Sequence, residues 1–203
     1  MSAEKQKTIV YVRTDLCDQE LESGGSVAHT LGVLQGFRQL GYQIVCASSC
    51  MHAVLAQQRL KTVIKLSNPR WFAFLRWKIN CFLSSFFFYK QISTAVRSND
   101  IAFLYQRYSL LNMTGIVLAR RFNKKLILEY NGSEAWIATH WIKKKQWITF
   151  SWLMYWVEKI NISQADYVVV VSQALQDELV ARGVTQKKII VNPNGVDADM
   201  YKS

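Results

Sequence analysis

Three short stretches of the chain bring together residue types that bind or move a charged group. In ESGGSVAHTLGVLQGF, Glu22 to Phe37, the pair Gly24-Gly25 and then Ser26 stand directly ahead of a helical pattern. Glycine lets backbone N–H groups approach an anion closely, and a helix N-terminus adds unpaired donors and a partial positive charge, so a diphosphate is a natural guest. The same glycines also suit a permissive turn with no ligand. In LILEYNGSEAW, Leu126 to Trp136, an apolar run gives way to Asn131, Gly132, Ser133 and Glu134. Asn131 and Ser133 can hydrogen-bond sugar or phosphate oxygens, and Glu134 can accept from hydroxyls or act as a base. Plain helix capping by Asn131 or Ser133, with Glu134 favouring the helix dipole, explains the same residues without a ligand. In YQRYS, Arg107 is a candidate anion contact or the partner of a carboxylate.

These residues need elements that aim them at one place. Strand-like runs at Lys7 to Arg13, Gln43 to Ala47, Thr62 to Leu66, Ile101 to Tyr105, Lys125 to Tyr130, Tyr167 to Val171 and Lys188 to Val191 alternate with helical patterns. The helices are expected at Ser26 to Leu40, Met51 to Leu60, Arg70 to Arg97, Leu110 to Phe122, Trp141 to Ser163 and Gln173 to Arg182. YVVVV and KLILEY are near-continuous aliphatic runs, as in a parallel sheet covered on both faces. The expected fold class is therefore α/β, a Rossmann-like doubly wound parallel sheet of about seven strands, with ligands beyond the strands' carboxyl ends. GxGxxG is absent, and the loop from the first strand to the glycines is long, which argues against a nicotinamide or flavin cofactor.

The chain has 203 residues, 25 basic and 14 acidic, for a net charge of +11. Ser23 to Asn99 contains Lys and Arg but no Asp or Glu, a field that favours an anionic partner. No nucleic-acid motif accompanies it, and its basic residues are dispersed among apolar runs, so nucleic acid is not expected as a partner. Cys17, Cys46, Cys50 and Cys81 lack metal-ligand spacing and fit a reducing compartment, and no metal site is expected. The first residues show no signal-peptide core, which suggests a cytoplasmic protein.

Two aromatic and basic segments complete the inventory. Arg70 to Lys90 places Arg76, Asn80 and Ser84 as a polar stripe among Trp71, Phe74, Phe82 and Phe86, with Lys78 nearby. His140 to Lys159 sets Lys143, Lys144 and Lys145 beside Trp141, Trp147, Trp152 and Trp156. Neither reads as a membrane span. Aromatic rings with cations suit the bilayer interface, so Trp71, Arg76, Lys78, Lys143, Lys144, Lys145 and Trp147 are candidate contacts to an acidic membrane at its inner face. Burial of the aromatics in the core is the competing explanation.

GGSVAHTLGVLQGFRQLGYQIVCAS, YQRYSLLNMTGIVLARRFNKKLILEYNGSE, ADYVVVVSQALQDELVARGV and IIVNPNGVD, in this order, resemble the N-terminal domain of a GT-B fold, family-4 (glycogen-synthase-like) retaining glycosyltransferase. The resemblance implies transfer of a sugar from a nucleotide-diphosphate donor to a glycan or lipid-linked acceptor in cell-surface polysaccharide synthesis, with no metal or other cofactor. It makes Gly24, Gly25 and Ser26 the diphosphate loop, and Asn131, Ser133 and Glu134 the candidate catalytic contacts, with Gly132 and Arg107 beside them. Ser172 resembles a family serine after the sixth strand, and Asn194, Gly195 and Asp197 match the crossing into a second domain. Many members carry a His in the loop after the fifth strand, where this chain has Asn131 and its neighbours. On this basis 1–192 are expected to form the acceptor-side domain and 193–203 the start of a linker, with the donor-binding domain absent and supplied in cis or in trans. A stand-alone module that binds an anionic lipid or polysaccharide without catalysis is the alternative.

Overall fold

The computed structural model describes residues 7–15, 20–68, 77–96, 100–141 and 151–195, without the side chains of 77–82. Strands β1 (Thr8–Arg13), β2 (Gln43–Ser48), β3 (Thr62–Lys65), β4 (Ile101–Arg107), β5 (Lys125–Tyr130), β6 (Tyr167–Val170) and β7 (Ile189–Val191) form one sheet ordered β3-β2-β1-β4-β5-β6-β7. Every neighbouring pair is parallel. The helices are α1 (Gly25–Gln39), α2 (His52–Ala56), α3 (Trp77–Val96), α4 (Thr114–Phe122), α5 (Glu134–His140), α6 (Ser151–Gln164) and α7 (Gln173–Ala181). The expected α/β, Rossmann-like class is the one observed.

The period-2 alternation of a strand distributes its side chains between two cores. Val10 and Val12 of β1, Leu104 of β4, Leu126 and Leu128 of β5, and Val168 and Val170 of β6 share one core with Phe88 and Ile92 of α3, Ile116 of α4, Ile162 of α6 and Leu179 of α7. Ile9 and Tyr11, Ile44 and Cys46, and Tyr105 form the other with Val27 and Leu34 of α1. The residues of the second parity that lie nearest the carboxyl ends of the strands therefore look toward α1. They include Arg13, Arg107 and Glu129. The chain runs outward from β1 to β3 and then returns to β4 on the other side of β1, so the order reverses between β1 and β4. A doubly wound sheet opens its binding crevice at such a point.

One local expectation is corrected. The helix expected from Leu110 starts at Thr114, because Leu111 adopts a left-handed conformation (φ 59°) and Asn112 Oδ1 accepts from the N–H of Thr114. Capping by Ser133 is observed: it is the N-cap of a short helix, α5, that precedes Trp141 and carries Glu134 in its first turn. On α3, Ser84 is fully buried and Ser85 Oγ accepts from the N–H of Met113, while Phe86 is 54% exposed; Arg76 and the side chain of Asn80 lie outside the described residues. The small serines sit where α3 approaches α4, and the bulkier ring is left outside. Cys46 and Cys50 are buried free thiols. Among the described residues, no helix is long and apolar enough to cross a membrane.

Candidate functional site

Gly24 sits at the N-cap of α1 with φ 106°, a conformation that favours glycine. No side chain caps this helix, and its first turn holds no acidic residue. By contrast, Ser133 Oγ accepts from the N–H of Trp136 at the start of α5, and Ser172 Oγ accepts from the N–H of Leu175 at the start of α7. A 15-residue helix that opens at Gly24-Gly25 and lacks a side-chain cap leaves the N–H groups of Gly25 and Ser26 and the positive end of its dipole without a partner among the described residues. The opening belongs to a cavity of about 880 Å³ lined by Ser23, Gly24, Gly25, His29, Asn194 and Gly195. The structure thus brings Gly24 and Gly25 to the same cavity as Asn194 and Gly195.

Arg13 anchors this loop from beneath. Its side chain is 1% exposed; Nη1 donates to Ser26 O at 3.0 Å and to Thr30 Oγ1 at 2.8 Å, and Nη2 donates to Ser26 Oγ at 3.2 Å. Ser26 Oγ is occupied as an acceptor, so its proton is free to be donated elsewhere. Burial pulls the Arg13 guanidinium down, and Asp15, 2.7 Å from its Nε, more than offsets this and holds the group charged.

A second cluster surrounds the buried carboxylate of Glu129. Oε1 accepts from Asn131 Nδ2 at 2.7 Å and Arg107 Nη1 at 3.2 Å, and Oε2 accepts from Tyr105 Oη at 3.0 Å. His29 Nε2 of α1 stands 3.1 Å from Oε1 without forming a well-aligned hydrogen bond. Burial pushes the Glu129 carboxyl up, but His29, Arg107 and Asn131 together hold it below the ordinary carboxylate value. His29 also lines the α1 cavity, so it links this cluster to the glycine loop.

Around the loop after β5, Gly132 takes φ 125°, and Ser133 Oγ also donates to Glu158 Oε2 at 2.9 Å. Glu158 of α6 is fully buried and is further held by Tyr130 Oη at 3.2 Å and Arg182 Nη2 at 2.9 Å. Glu134 takes no hydrogen bond from the described residues; burial, and then the neighbouring charge of Asp15, raise its carboxyl above the usual range. That raised value suits a group that exchanges protons with a hydroxyl.

The predicted residues therefore separate. Gly24, Gly25, Asn194 and Gly195 meet at one cavity, with Ser26 between Arg13 and the helix start. Arg107 and Asn131 converge on Glu129, while Ser133 and Ser172 serve as caps. Asp197, Trp71, Arg76, Lys143, Lys144, Lys145 and Trp147, and the side chain of Lys78, lie outside the described residues. The sequence motifs give no role to Arg13, His29 or Glu158, and Glu129 enters them only as the start of the polar turn in LILEYNGSEAW, without a role. The parity of the strands was the available signal for Arg13 and Glu129; His29 and Glu158 needed the tertiary contacts. Among the described residues, no group of three or more His, Cys, Asp or Glu is gathered to hold a metal ion.

The model of the family described as Glycosyltransferase Family 4 matches residues 23–200. No curated protein sequence matches the chain. Among solved structures, a glycosyltransferase from Rickettsia africae superposes with a TM-score of 0.60 at 16% identity, over 98% of this chain and 45% of that one. HepE of Anabaena in complex with UDP-glucose gives 0.60 at 14%, over 97% and 46%. A UDP-GlcNAc 2-epimerase from Neisseria meningitidis bound to UDP-GlcNAc gives 0.61 at 6%, over 92% and 46%. Identities this low show the shared fold alone. The chain spans less than half the length of each of these proteins.

Proposed function

The chain belongs to glycosyltransferase family 4, and from that premise we propose that it is the acceptor-side half of a retaining enzyme. That enzyme moves a sugar from a nucleotide-diphosphate donor to a glycan or lipid-linked acceptor in cell-surface polysaccharide synthesis. The observation that carries the reading is the uncapped, glycine-opened N-terminus of α1 facing a cavity shared with Asn194 and Gly195. Two solved structures with this half-fold hold a UDP-sugar, which supports a nucleotide-diphosphate donor. The fold serves an epimerase as well as transferases, so the family match favours transfer.

In this reading the N–H groups of the α1 first turn and the Ser26 hydroxyl take up charge as the nucleotide diphosphate departs. Fixed donors aimed at a developing charge are an effective form of electrostatic catalysis, and they need no metal or other cofactor here. Arg13 holds Ser26 as a donor from below. Asn131 and Glu134 stand at the acceptor side, with Glu134 as the group that takes a hydrogen bond from the attacking hydroxyl. The remaining diphosphate contacts come from a donor-binding domain in cis or in trans. The chain's coverage of under half of each structural relative supports that second domain.

The enzyme works in the cytoplasm, on the inner face of the membrane. Trp156 is 50% exposed, and the net charge of +11 favours acidic lipid. Flotation with phosphatidylglycerol vesicles at low salt is expected to carry the chain upward, and a chain left at the bottom of the gradient contradicts the membrane assignment.

Transfer is tested with labelled UDP-glucose and UDP-GlcNAc and membrane-extracted acceptors, using the chain alone and the chain produced together with the coding sequence that follows it. Transfer is expected in the second case only. Robust transfer by the chain alone overturns the two-half reading, and its absence in both overturns the transferase reading for these donors.

A further inference from the structure

A second cavity, of about 640 Å³, opens on the far side of the Gly132-Ser133 loop, between α5, α6 and α7. Its size falls within the roughly 300–1,000 Å³ of small-ligand sites. We propose that it is a sugar-binding subsite, in which a pyranose ring of a neutral glycan stacks on Trp136 and Trp141 while its hydroxyls hydrogen-bond to Glu178. The assignment rests on the reading of the chain as an acceptor-side half, and it names the acceptor's chemistry.

The aromatic wall is built in advance. Trp136 stacks on His140 with ring centroids 4.7 Å apart and planes within 14°, and meets Trp141 edge to face at 6.0 Å. Both indoles remain open to solvent, at 44% and 73% exposure, with Tyr155 beside them. The Trp136 ring, stacked on His140 and 44% exposed, presents apolar surface that matches the C–H face of a sugar.

The polar wall is equally fixed. Arg182 donates to Tyr130 Oη at 3.1 Å, to the buried Glu158 at 2.9 Å and to Glu178 Oε1 at 3.3 Å, so its guanidinium is already committed. Glu178 is half-exposed and accepts from Arg182 through one oxygen, which leaves acceptor positions for hydroxyls. Among the described residues, the carboxylates of Glu178 and Glu158 face the one guanidinium of Arg182. That balance disfavours a phosphate or an acidic lipid headgroup and suits a neutral polyhydroxyl ligand. Ser133 and Arg182 both bind the Glu158 carboxylate, so the cavity and the loop after β5 are tied to one buried group.

The test is a titration of the full chain with cellotriose, maltotriose and chitotriose, followed by tryptophan fluorescence and saturation-transfer NMR. At least one trisaccharide is expected to give a saturable response, weakened roughly tenfold or more by Trp136→Ala and by Glu178→Gln. Trp152→Ala, outside the cavity, is expected to leave it unchanged. All three side chains are exposed or half-exposed, and circular dichroism confirms that the variants fold. No saturable response to any of the three at about 50 mM overturns the proposal, as does an equal loss in Trp152→Ala. Trp136-dependent binding to phosphatidylglycerol vesicles without a sugar response also overturns it, in favour of a lipid contact. UDP-induced amide shifts at Gly24 to Ser26, recorded on the same samples, separate the two readings. If they persist while sugar binding fails, the subsite alone is wrong; if they fail while sugar binding persists, the subsite stands and the transferase reading falls.

Discussion

Glu129 concentrates the electrostatics of the sheet's carboxyl end in one residue. A fully buried carboxylate is tolerable because Tyr105, Arg107 and Asn131 donate to it and His29 adjoins it. Removing the charge from such a cluster strands its partners, so Glu129→Gln is expected to cost about 3 kcal/mol at pH 7 in a denaturant melt. The carboxyl is held below its unfolded value, so its stabilising share is complete above that value, near 4.3, and is lost as pH falls through the folded one. The gap between Glu129→Gln and the parent chain should therefore narrow below about pH 4. A gap independent of pH contradicts the assignment. The sequence showed this residue as one carboxylate inside KLILEY, with nothing nearby to explain it. Arg107 stands directly across from it in the β4–β5 register, but His29 lies a hundred residues away and only folding brings it close. Arg107 was legible as a candidate anion contact or the partner of a carboxylate, and the structure shows it paired with the buried Glu129.

Helix starts show how elements divide the work. Ser133 and Ser172 cap α5 and α7, whereas α1 opens on glycine with no side-chain cap among the described residues, and that difference is what the proposed diphosphate site is built on. The paired glycines were legible in sequence; the absence of a cap was not, because Ser23 and Ser26 are both of a capping type. The seven strands were legible because parallel strands buried on both faces demand unbroken aliphatic runs. The helices were less so: the capping pattern at Ser133 and Glu134 was the one signal for α5, and the packing of α3 depends on contacts with α4. Gly115 at the start of α4 illustrates that dependence. A Cβ there would stand 2.0 Å from Gln106 Oε1 and 3.1 Å from Leu126 Cδ1, both in the packed interior. Gly115→Ala is expected to lower stability by about 1–3 kcal/mol in thermal or urea melts. A substitution without effect would mean that α4 sits farther from β4 than the structure places it.

At the scale of the whole molecule, the two parities of one sheet separate scaffold from site. One core joins α3, α4, α6 and α7, and the face toward α1 gathers Arg13, Arg107 and Glu129 beneath the glycine loop. This arrangement sets the glycine-opened start of α1 against a cavity that residues 194 and 195 help to line. The measurement that tests it most directly is an amide-resolved NMR titration of the chain with UDP, repeated on Gly25→Asp. A side chain at Gly25 meets open space, and an acidic residue in a first helical turn favours the dipole, so that variant should fold with unchanged or higher stability. The prediction is a saturable shift of the Gly24, Gly25 and Ser26 amides in the parent chain, abolished in Gly25→Asp. No shift at these amides, or one that survives the aspartate, would contradict a diphosphate site at the start of α1.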